Sequence, residues 1–442
     1  MTPPRAVVAG LGNTGQSVIR HLLSRGWQVA ATDSRNEPPG IAGLRQLAPG
    51  MRIALGALDQ ALLADVDYVI ASPGLSQADP FFVAARRLGV PIIGDIELFA
   101  RSGAAPVVGI TGTNGKSTVT TLVARMAERA GLETRAGGNL SPPALDLLAM
   151  GGASLYVLEL SSYQLETTYS LQLAAATVLN VTPDHLDRYP DMPAYAAAKA
   201  RIFERCGVAI INLDDPLVAA MVRNGQKSLS FSLHADRGAD YCVQSEAGSD
   251  WLCHHGERLL RVDSMRLVGS HNAANALASL ALGDALGLDR AAMIAALREF
   301  PGLPHRAAWV ADVAGVRYVN DSKGTNVGAT LAAVAGFKGP LLLIAGGDGK
   351  NQDFSPLRSA FTGKVRRVLL IGRDAQQIEA ALQGVCATER CATLEAAVIA
   401  AAREARPGDT VLLSPACASL DMFRDYAHRG EVFADAVRRL AA

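Results

Sequence analysis

The chain has 442 residues, 49% of them hydrophobic and 19% charged, which exceeds one compact core and excludes a disordered or coiled-coil chain. Lys+Arg and Asp+Glu both number 42, so the net charge is zero and the chain has no basic footprint for nucleic acid or an anionic membrane. Neither partner is expected.

The six cysteines, at 206, 242, 253, 386, 391 and 417, form no CxxC or CxxH pair and read as free or buried thiols in a reducing compartment. The opening MTPPRAVVAGLGNTG has one basic residue and an apolar stretch broken by glycines, so it reads as a strand rather than a signal peptide. The longest uncharged stretches, such as 167–183, are polar and shorter than a membrane span. A cytoplasmic protein with no membrane insertion is expected.

Short apolar runs alternate with Ala- and Leu-rich stretches along the whole chain: RAVVAGLG, WQVAATD, DYVIAS, PVVGITG, LYVLEL, AATVLNVT, VAIINL, PLLLIAGG, RVLLIG and TVLLSP. Runs of this kind predict buried parallel strands, with helices following them at 16–25, 117–130 and 375–382. The class is α/β, built from βαβ units. The pattern restarts at residue 5, at 106 and near 316. SGAAP (102–106) is one candidate linker, and FPGLPH (300–305), just after a predicted helix at 291–300, is another. The stretch 228–267 is poor in helix formers and reads as short strands or loops inserted in the middle unit. Three domains are expected, at 1–95, 96–302 and 303–442.

Gly10-Leu-Gly12-Asn-Thr-Gly15 follows a predicted strand and opens a helix, with Asp33 eighteen residues further on at the end of the next strand. Such a turn lets the backbone approach a diphosphate at a helix N-terminus, and the acid lies where a ribose-binding carboxylate would sit. A nicotinamide dinucleotide, another nucleotide diphosphate and a bare strand–helix turn all suit the pattern. Thr111-Gly-Thr-Asn-Gly-Lys-Ser-Thr118 is more specific. A Gly-rich loop between strand and helix cradles phosphates with backbone N–H groups. Lys116 can reach the β/γ-phosphates, and Ser117 can ligate Mg²⁺. The spacing is GxxGKS, with Ile110 where the common loop has its first glycine.

Glu159 ends a run that reads as a buried strand, where a carboxylate is costly unless it meets a cation. A salt-bridged or edge-strand Glu is the other reading. His185, in Asn180-Val-Thr-Pro-Asp-His-Leu-Asp-Arg188, follows a predicted strand at 174–181, in a loop suited to a site or to a structural His. Lys199, in a predicted helix at 194–204, reads by itself as a solvated surface residue. His271-Asn272-Ala-Ala-Asn275 puts two Asn on one helix face, fit for an adenine edge or for a cap or polar core bond. Three polar strand-end loops follow: Asn320–Asn326, Gly346–Lys350 and Ser414–Ser419. Cys417 beside Ser419 has no nucleophile elbow and no His in its loop to support nucleophilic catalysis.

Together, GTNGKST, LELSSYQLE, NVTPDHLDRYP, AKARIF, SHNAANALA, GLPHR, NDSKGTN, GGDGK and SPACASLDMF resemble the Mur ligase family from the first strand to the last helix. LPHR with NDSKGTN and SPACASLDMF is closest to its D-glutamate-adding members. The resemblance implies a Rossmann-like first domain, a P-loop ATPase-like middle domain and a Rossmann-like last domain. It implies an enzyme that uses ATP to join D-glutamate to UDP-N-acetylmuramoyl-L-alanine through an acyl phosphate, in peptidoglycan precursor synthesis, and that acts as a monomer. Other amino acid-adding Mur-type and folylpolyglutamate-type ligases are the nearest alternatives. A dehydrogenase would leave GTNGKST unexplained, and a nucleotide-binding scaffold need not keep Glu159, His185 and Lys199 together.

By the same resemblance, Gly112, Thr113, Asn114, Gly115, Lys116, Ser117, Thr118, Asn272, Arg306 and Asp321 bind ATP. Two Mg²⁺ ions are held, one by Ser117 and Glu159 and the other by His185 and Lys199, the lysine being carbamylated. Lys116, His185 and Lys199 are the catalytic set. Gly12, Thr14, Asp33, Arg35, Ser72, Gly74 and Asn139 bind the UDP-sugar, and Lys323, Thr325, Lys350, Ser419, Leu420 and Tyr426 bind D-glutamate.

Overall fold

The apolar runs pair into three separate sheets. The first holds β1 (Arg5–Ala9), β2 (Gln28–Asp33), β3 (Ile53–Leu55), β4 (Tyr68–Ala71) and β5 (Ile92–Ile93), all parallel in the order β3-β2-β1-β4-β5. This is the order of a dinucleotide-binding fold, and it places the Gly10–Gly15 turn at the point where strand order reverses. In this computed structural model the described residues are 2–441 except Ala104, Asp187, Val268 and Lys338. Ala104 of the SGAAP segment therefore lies outside them.

The second sheet holds β6 (Val107–Thr111), β7 (Thr134–Gly138), β8 (Leu155–Glu159), β9 (Leu173–Val178), β10 (Cys206–Asn212), β11 (Ser228–Ser232), β12 (Tyr241–Glu246), β13 (Ser249–His254) and β14 (Glu257–Arg261). Its order is β14-β13-β12-β11-β10-β9-β6-β8-β7. The stretch read as short strands or loops forms short strands that extend this sheet: β11 and β12 continue it in parallel, and β12, β13 and β14 close it as an antiparallel meander. Helices Lys116–Arg129, Ser270–Ala285 and Arg290–Glu299 share one core with these strands through Val119, Leu122, Leu277, Leu280 and Leu297.

The third sheet holds β15 (Ala308–Val313), β16 (Val316–Asn320), β17 (Leu341–Gly346), β18 (Val365–Ile371), β19 (Ala387–Arg390) and β20 (Thr410–Leu413). The order is β15-β16-β20-β17-β18-β19. From β17 to β20 this is the half-Rossmann order, with β16 entering before it rather than after. The expected restart near residue 316 coincides with β16, and β15 precedes it. β15 is an antiparallel edge strand whose residues are half-buried or exposed, although its sequence AWVADV is apolar at every position but Asp312. Among the described residues, no helix is long and apolar enough to cross a membrane, and all six cysteines are free.

Candidate active site between the second and third sheets

β6 delivers the chain into the glycine loop at full burial, and the helix Lys116–Arg129 leaves it. Gly115 adopts φ 87°, and a Cβ there would stand 2.4 Å from Asn275 Oδ1. Only glycine fits both constraints. Lys116 Nζ folds over the loop and donates to the carbonyls of Gly112 and Thr113, each at 2.9 Å. Asn180, just beyond β9, braces the loop by accepting from Asn114 N at 2.8 Å.

A cavity of about 280 Å³ opens beside this loop. Lys116, Ser117, Glu159, His185 and Lys199 line it from the second sheet's unit, and Lys323, Thr325 and Lys350 line it from the third. Glu159 is buried at the end of β8. Its Oε1 accepts from Asn139 Nδ2 at 2.6 Å, while Oε2 has no hydrogen-bond partner. Burial would raise its pKa, but the Lys116 charge and the Asn139 bond hold it below the ordinary carboxylate value. A buried anionic oxygen without a hydrogen-bond partner is costly, and a cation suits it.

Lys199 corrects the surface reading of a helical lysine. It lies in the helix Met192–Ala200 but is only 2% exposed, with Nζ donating to Gly112 O at 2.9 Å and lying 4.5 Å from the Tyr195 ring centroid. Burial first, and then the Lys116 charge, push its pKa well below that of an ordinary lysine. His185 is held neutral. Burial lowers its pKa to about 4, with Lys350, Lys116 and Lys199 adding to the effect and Asp184 opposing it.

The sequence reading passed over Asp184. It is buried between the units, 3.5 Å from Lys350 Nζ, 3.3 Å from Asn326 Nδ2 and 3.6 Å from His185 Nε2. Its position directly before His185 in the strand-end loop was the available signal. Asn326 also exchanges bonds with Asn114, which ties the third unit to the glycine loop. Among the described residues, no cluster of three or more His, Cys, Asp or Glu could cage a metal by itself.

A second cavity, of about 210 Å³, adjoins the loop. Phe231, Leu267 and Ala333 give it apolar walls, and Asn272, Arg306 and Asp321 line it as well. Asn275 donates to Asn272 Oδ1 at 3.2 Å, within one helix. Arg306 reaches across from beyond the 300–305 stretch to Ser117 Oγ at 2.9 Å. Asp321, half-buried, accepts from Ala307 N and Ser414 Oγ, and desolvation raises its carboxyl to about 6 against those bonds. Flat apolar walls with an amide at the rim fit a heteroaromatic base.

The predicted UDP-sugar residues do not all gather. Gly12, Thr14, Asp33, Arg35, Ser72 and Gly74 belong to the first sheet's turns, whereas Asn139 stands beside Glu159. Gly10 adopts φ 90°, and a Cβ there would stand 2.6 Å from Ser72 Cβ, so the two turns are packed together. Asp33 Oδ2 accepts from Leu11 N at 2.7 Å, and both of its oxygens bind Arg35. Those bonds outweigh burial and hold its pKa at about 2, below the 3.8 of an ordinary aspartate. The stabilisation is therefore complete above pH 3.8 and disappears as pH falls through about 2. Asp33→Asn is expected to lower stability at neutral pH by on the order of 1–2 kcal/mol and to flatten the acid limb, which urea unfolding at pH 7 and pH 3 measures.

Three predicted D-glutamate residues lie off the cavity. Ser419 is buried outside it, Leu420 is 72% exposed, and the Tyr426 ring lies beneath Lys323 Nζ at 3.6 Å without lining it. Cys417 is buried, and burial pushes its thiol pKa far upward, which disfavours the nucleophilic thiolate.

A fold of three α/β units, with a phosphate loop facing lysines from the last unit, is the architecture of an amide-forming, ATP-using ligase. Three family models match the chain: the Mur ligase MurD-like N-terminal domain over 4–94, the Mur ligase middle domain over 110–283 and the Mur ligase glutamate ligase domain over 305–417. The chain belongs to the Mur ligase family. It is 51% identical over 437 residues to the UDP-N-acetylmuramoylalanine–D-glutamate ligase of Nitrosococcus oceani, covering 98% of this chain and 96% of that one. It is 52% identical over 441 residues to the enzyme of that name from Methylobacillus flagellatus, covering 99% and 97%. Among solved structures, a pseudomurein peptide ligase type C from Methanothermus fervidus superposes with a TM-score of 0.64 at 18% identity, covering 99% of this chain and 100% of that one. UDP-N-acetylmuramate-alanine ligase from Thermotoga maritima superposes with a TM-score of 0.63 at 19% identity, covering 98% and 99%. At such identities these structures speak for the fold alone.

Proposed function

We infer that the chain joins D-glutamate to UDP-N-acetylmuramoyl-L-alanine, converting ATP to ADP and phosphate, in peptidoglycan precursor synthesis. The observation that carries the reading is one cavity shared by the P-loop lysine, a buried carboxylate and the third unit's lysines. Relatives at about half identity along the whole chain bear that activity in their names. The units are 1–95 for the sugar nucleotide, 96–302 for ATP and 303–442 for the amino acid. The enzyme acts as a cytoplasmic monomer.

The acceptor carboxylate attacks the γ-phosphorus, the bond to ADP breaks, and an acyl phosphate results. The amine of D-glutamate then attacks the acyl carbon, loses a proton and expels phosphate. Negative charge builds on the phosphoryl oxygens, so Lys116 and the loop amides do most of their work there. Asn272 and the apolar walls hold the base, and Arg306 and Asp321 hold the phosphates and ribose from the third unit.

The donor set fits Mg²⁺. Ser117 and the unpartnered oxygen of Glu159 would hold one ion, and His185 and a carbamylated Lys199 a second. When bound, Mg²⁺ neutralises charge on the transferring phosphoryl group. The absence of an all-protein cage is no obstacle, since Mg²⁺ keeps water and phosphate ligands. An ammonium would repel the ion. The neutral Lys199 amine can attack CO₂, forming an N–C bond and releasing a proton, which turns the side chain into an oxygen donor. His185, held neutral, already has the form a metal ligand needs.

D-Glutamate brings two carboxylates, which Lys323, Thr325 and Lys350 would meet from two strand-end loops. A desolvated charge-assisted contact contributes about 1.5–3 kcal/mol. Lys350→Ala is therefore expected to raise the D-glutamate KM by roughly 10- to 100-fold and leave the ATP KM within about twofold, as initial-rate kinetics would show. The function itself is tested by incubating the protein with ATP, UDP-N-acetylmuramoyl-L-alanine and single amino acids, following phosphate release and product mass. D-Glutamate should be joined far faster than L-glutamate, whose side-chain carboxylate misses its partner. Equal rates would sink the amino-acid assignment, and no phosphate release with any amino acid would sink the ligase.

A further inference from the structure

The loop beyond His185 carries a cation that the chemistry above does not use. Arg188 has a side chain only 13% exposed. Its Nη1 donates to the carbonyl of Leu75 at 2.9 Å, in the turn that follows β4 in the first sheet. Its Nη2 pairs with Glu166 at 2.8 Å, at the end of the helix Ser162–Glu166. Its guanidinium carbon lies 4.4 Å from the centroid of the Tyr163 ring. Tyr163 lines the central cavity and meets the His185 ring at 5.0 Å. The other Glu166 oxygen accepts from the Tyr189 hydroxyl, and the Tyr189 ring stacks on Tyr163 at 5.9 Å.

Arg188 thus touches a carbonyl of the first unit, a carboxylate of the second and a ring in the wall of the phosphate cavity. A planar fork with five donors can do all three at once, and an ammonium cannot. The far end of the link is itself tied to the glycine turn. Leu75 N bonds Ser72 O at 3.1 Å, and Ser72 packs against Gly10. Ordering of the 72–75 turn by a ligand therefore bears on Arg188, and through it on Tyr163 and His185.

We propose that Arg188 is a positioning residue that couples occupancy of the first unit's turn by the sugar nucleotide to the Tyr163–His185 wall, so that sugar nucleotide and ATP bind with positive cooperativity. The proposal rests on the reading of the first unit as the sugar-nucleotide site. The physical basis is that one ligand orders a shared linkage, and the second ligand then binds to a linkage already ordered. The coupling must be reciprocal.

The test uses the full-length protein and calorimetric titration of the non-hydrolysable analogue AMP-PNP with Mg²⁺, with and without saturating UDP-N-acetylmuramoyl-L-alanine. In the wild type the sugar nucleotide should tighten analogue binding roughly 10-fold. In Arg188→Met that factor should fall to about 1 while each ligand alone still binds, and thermal melting should report a folded protein. Arg188→Lys should fall between, keeping the charge at Glu166 but losing the span to Leu75. A folded Arg188→Met with the wild-type factor overturns the proposal, as does a wild type that binds both ligands without coupling. Should Arg188→Met fail to fold, a wild-type factor in Arg188→Lys overturns it equally. A wild type that binds AMP-PNP but not the sugar nucleotide brings down the functional reading first, and the proposal with it.

Discussion

Lys116→Ala is expected to lower kcat by roughly 10²–10⁴ with little change in thermal stability. The lysine lies partly buried against Gly112 O and Thr113 O, close enough to Glu159 for that carboxylate to raise its pKa against the lowering effect of burial. Its charge faces the place where phosphoryl oxygens gain negative charge, so its loss falls on the transition state more than on ground-state binding. The fold keeps its support because Lys199 still donates to Gly112 O and Asn180 still braces the loop. A second consequence is electrostatic. Lys116 is one cause of the depressed Lys199 pKa, so its removal returns part of the charge to Lys199 and disfavours reaction with CO₂. Stopped-time phosphate release with all substrates saturating measures the effect. A near wild-type rate would remove the phosphate loop from the mechanism.

Lys199→Ala should be nearly inactive, roughly 10³-fold below wild type, and a short carboxylate such as formate or acetate should restore part of the rate. Truncation vacates a buried position over Tyr195, beside the cavity that holds His185 and Glu159. A small anion entering there supplies the oxygen donor that the carbamate would have supplied. The same anion should do nothing for Lys116→Ala, where a cation is missing. Wild-type activity should also fall in CO₂-depleted buffer and recover with bicarbonate. Full activity of the alanine variant would return Lys199 to a packing role, and inactivity without any rescue would point to a structural cation instead.

Much of the candidate site was legible because its residues sit where local pattern and chemistry coincide. The P-loop, Glu159 at the end of an apolar run and the polar loops after β16, β17 and β20 all mark strand ends, and strand ends are where an α/β sheet binds ligands. Lys199 was illegible without the family resemblance. Helical position says nothing about burial, and only the packing of its helix against the glycine loop takes it out of water. Asp184 was in plain view beside His185, but its neighbours Lys350 and Asn326 lie more than a hundred residues away in the chain. β15 was missed although AWVADV is apolar at all but Asp312, because that run shows no strict alternation and its place at the sheet edge is a tertiary fact.

The sequence by itself determined the α/β class, the three restarts of the strand–glycine–helix pattern and the phosphate chemistry of the central loop. These follow from short-range rules: two-sided burial of parallel strands, φ > 0 at glycine and backbone N–H groups at a helix start. Only the tertiary structure decided which strand ends face one another. It brought Lys323, Thr325 and Lys350 to the cavity, left Ser419 and Leu420 off it, and set Asn139 beside Glu159. It also buried an ordinary-looking lysine, lowering its pKa, and left one oxygen of a buried glutamate without a partner. The reason is that desolvation and Coulomb interactions depend on distance in space, and separation along the chain does not report that distance.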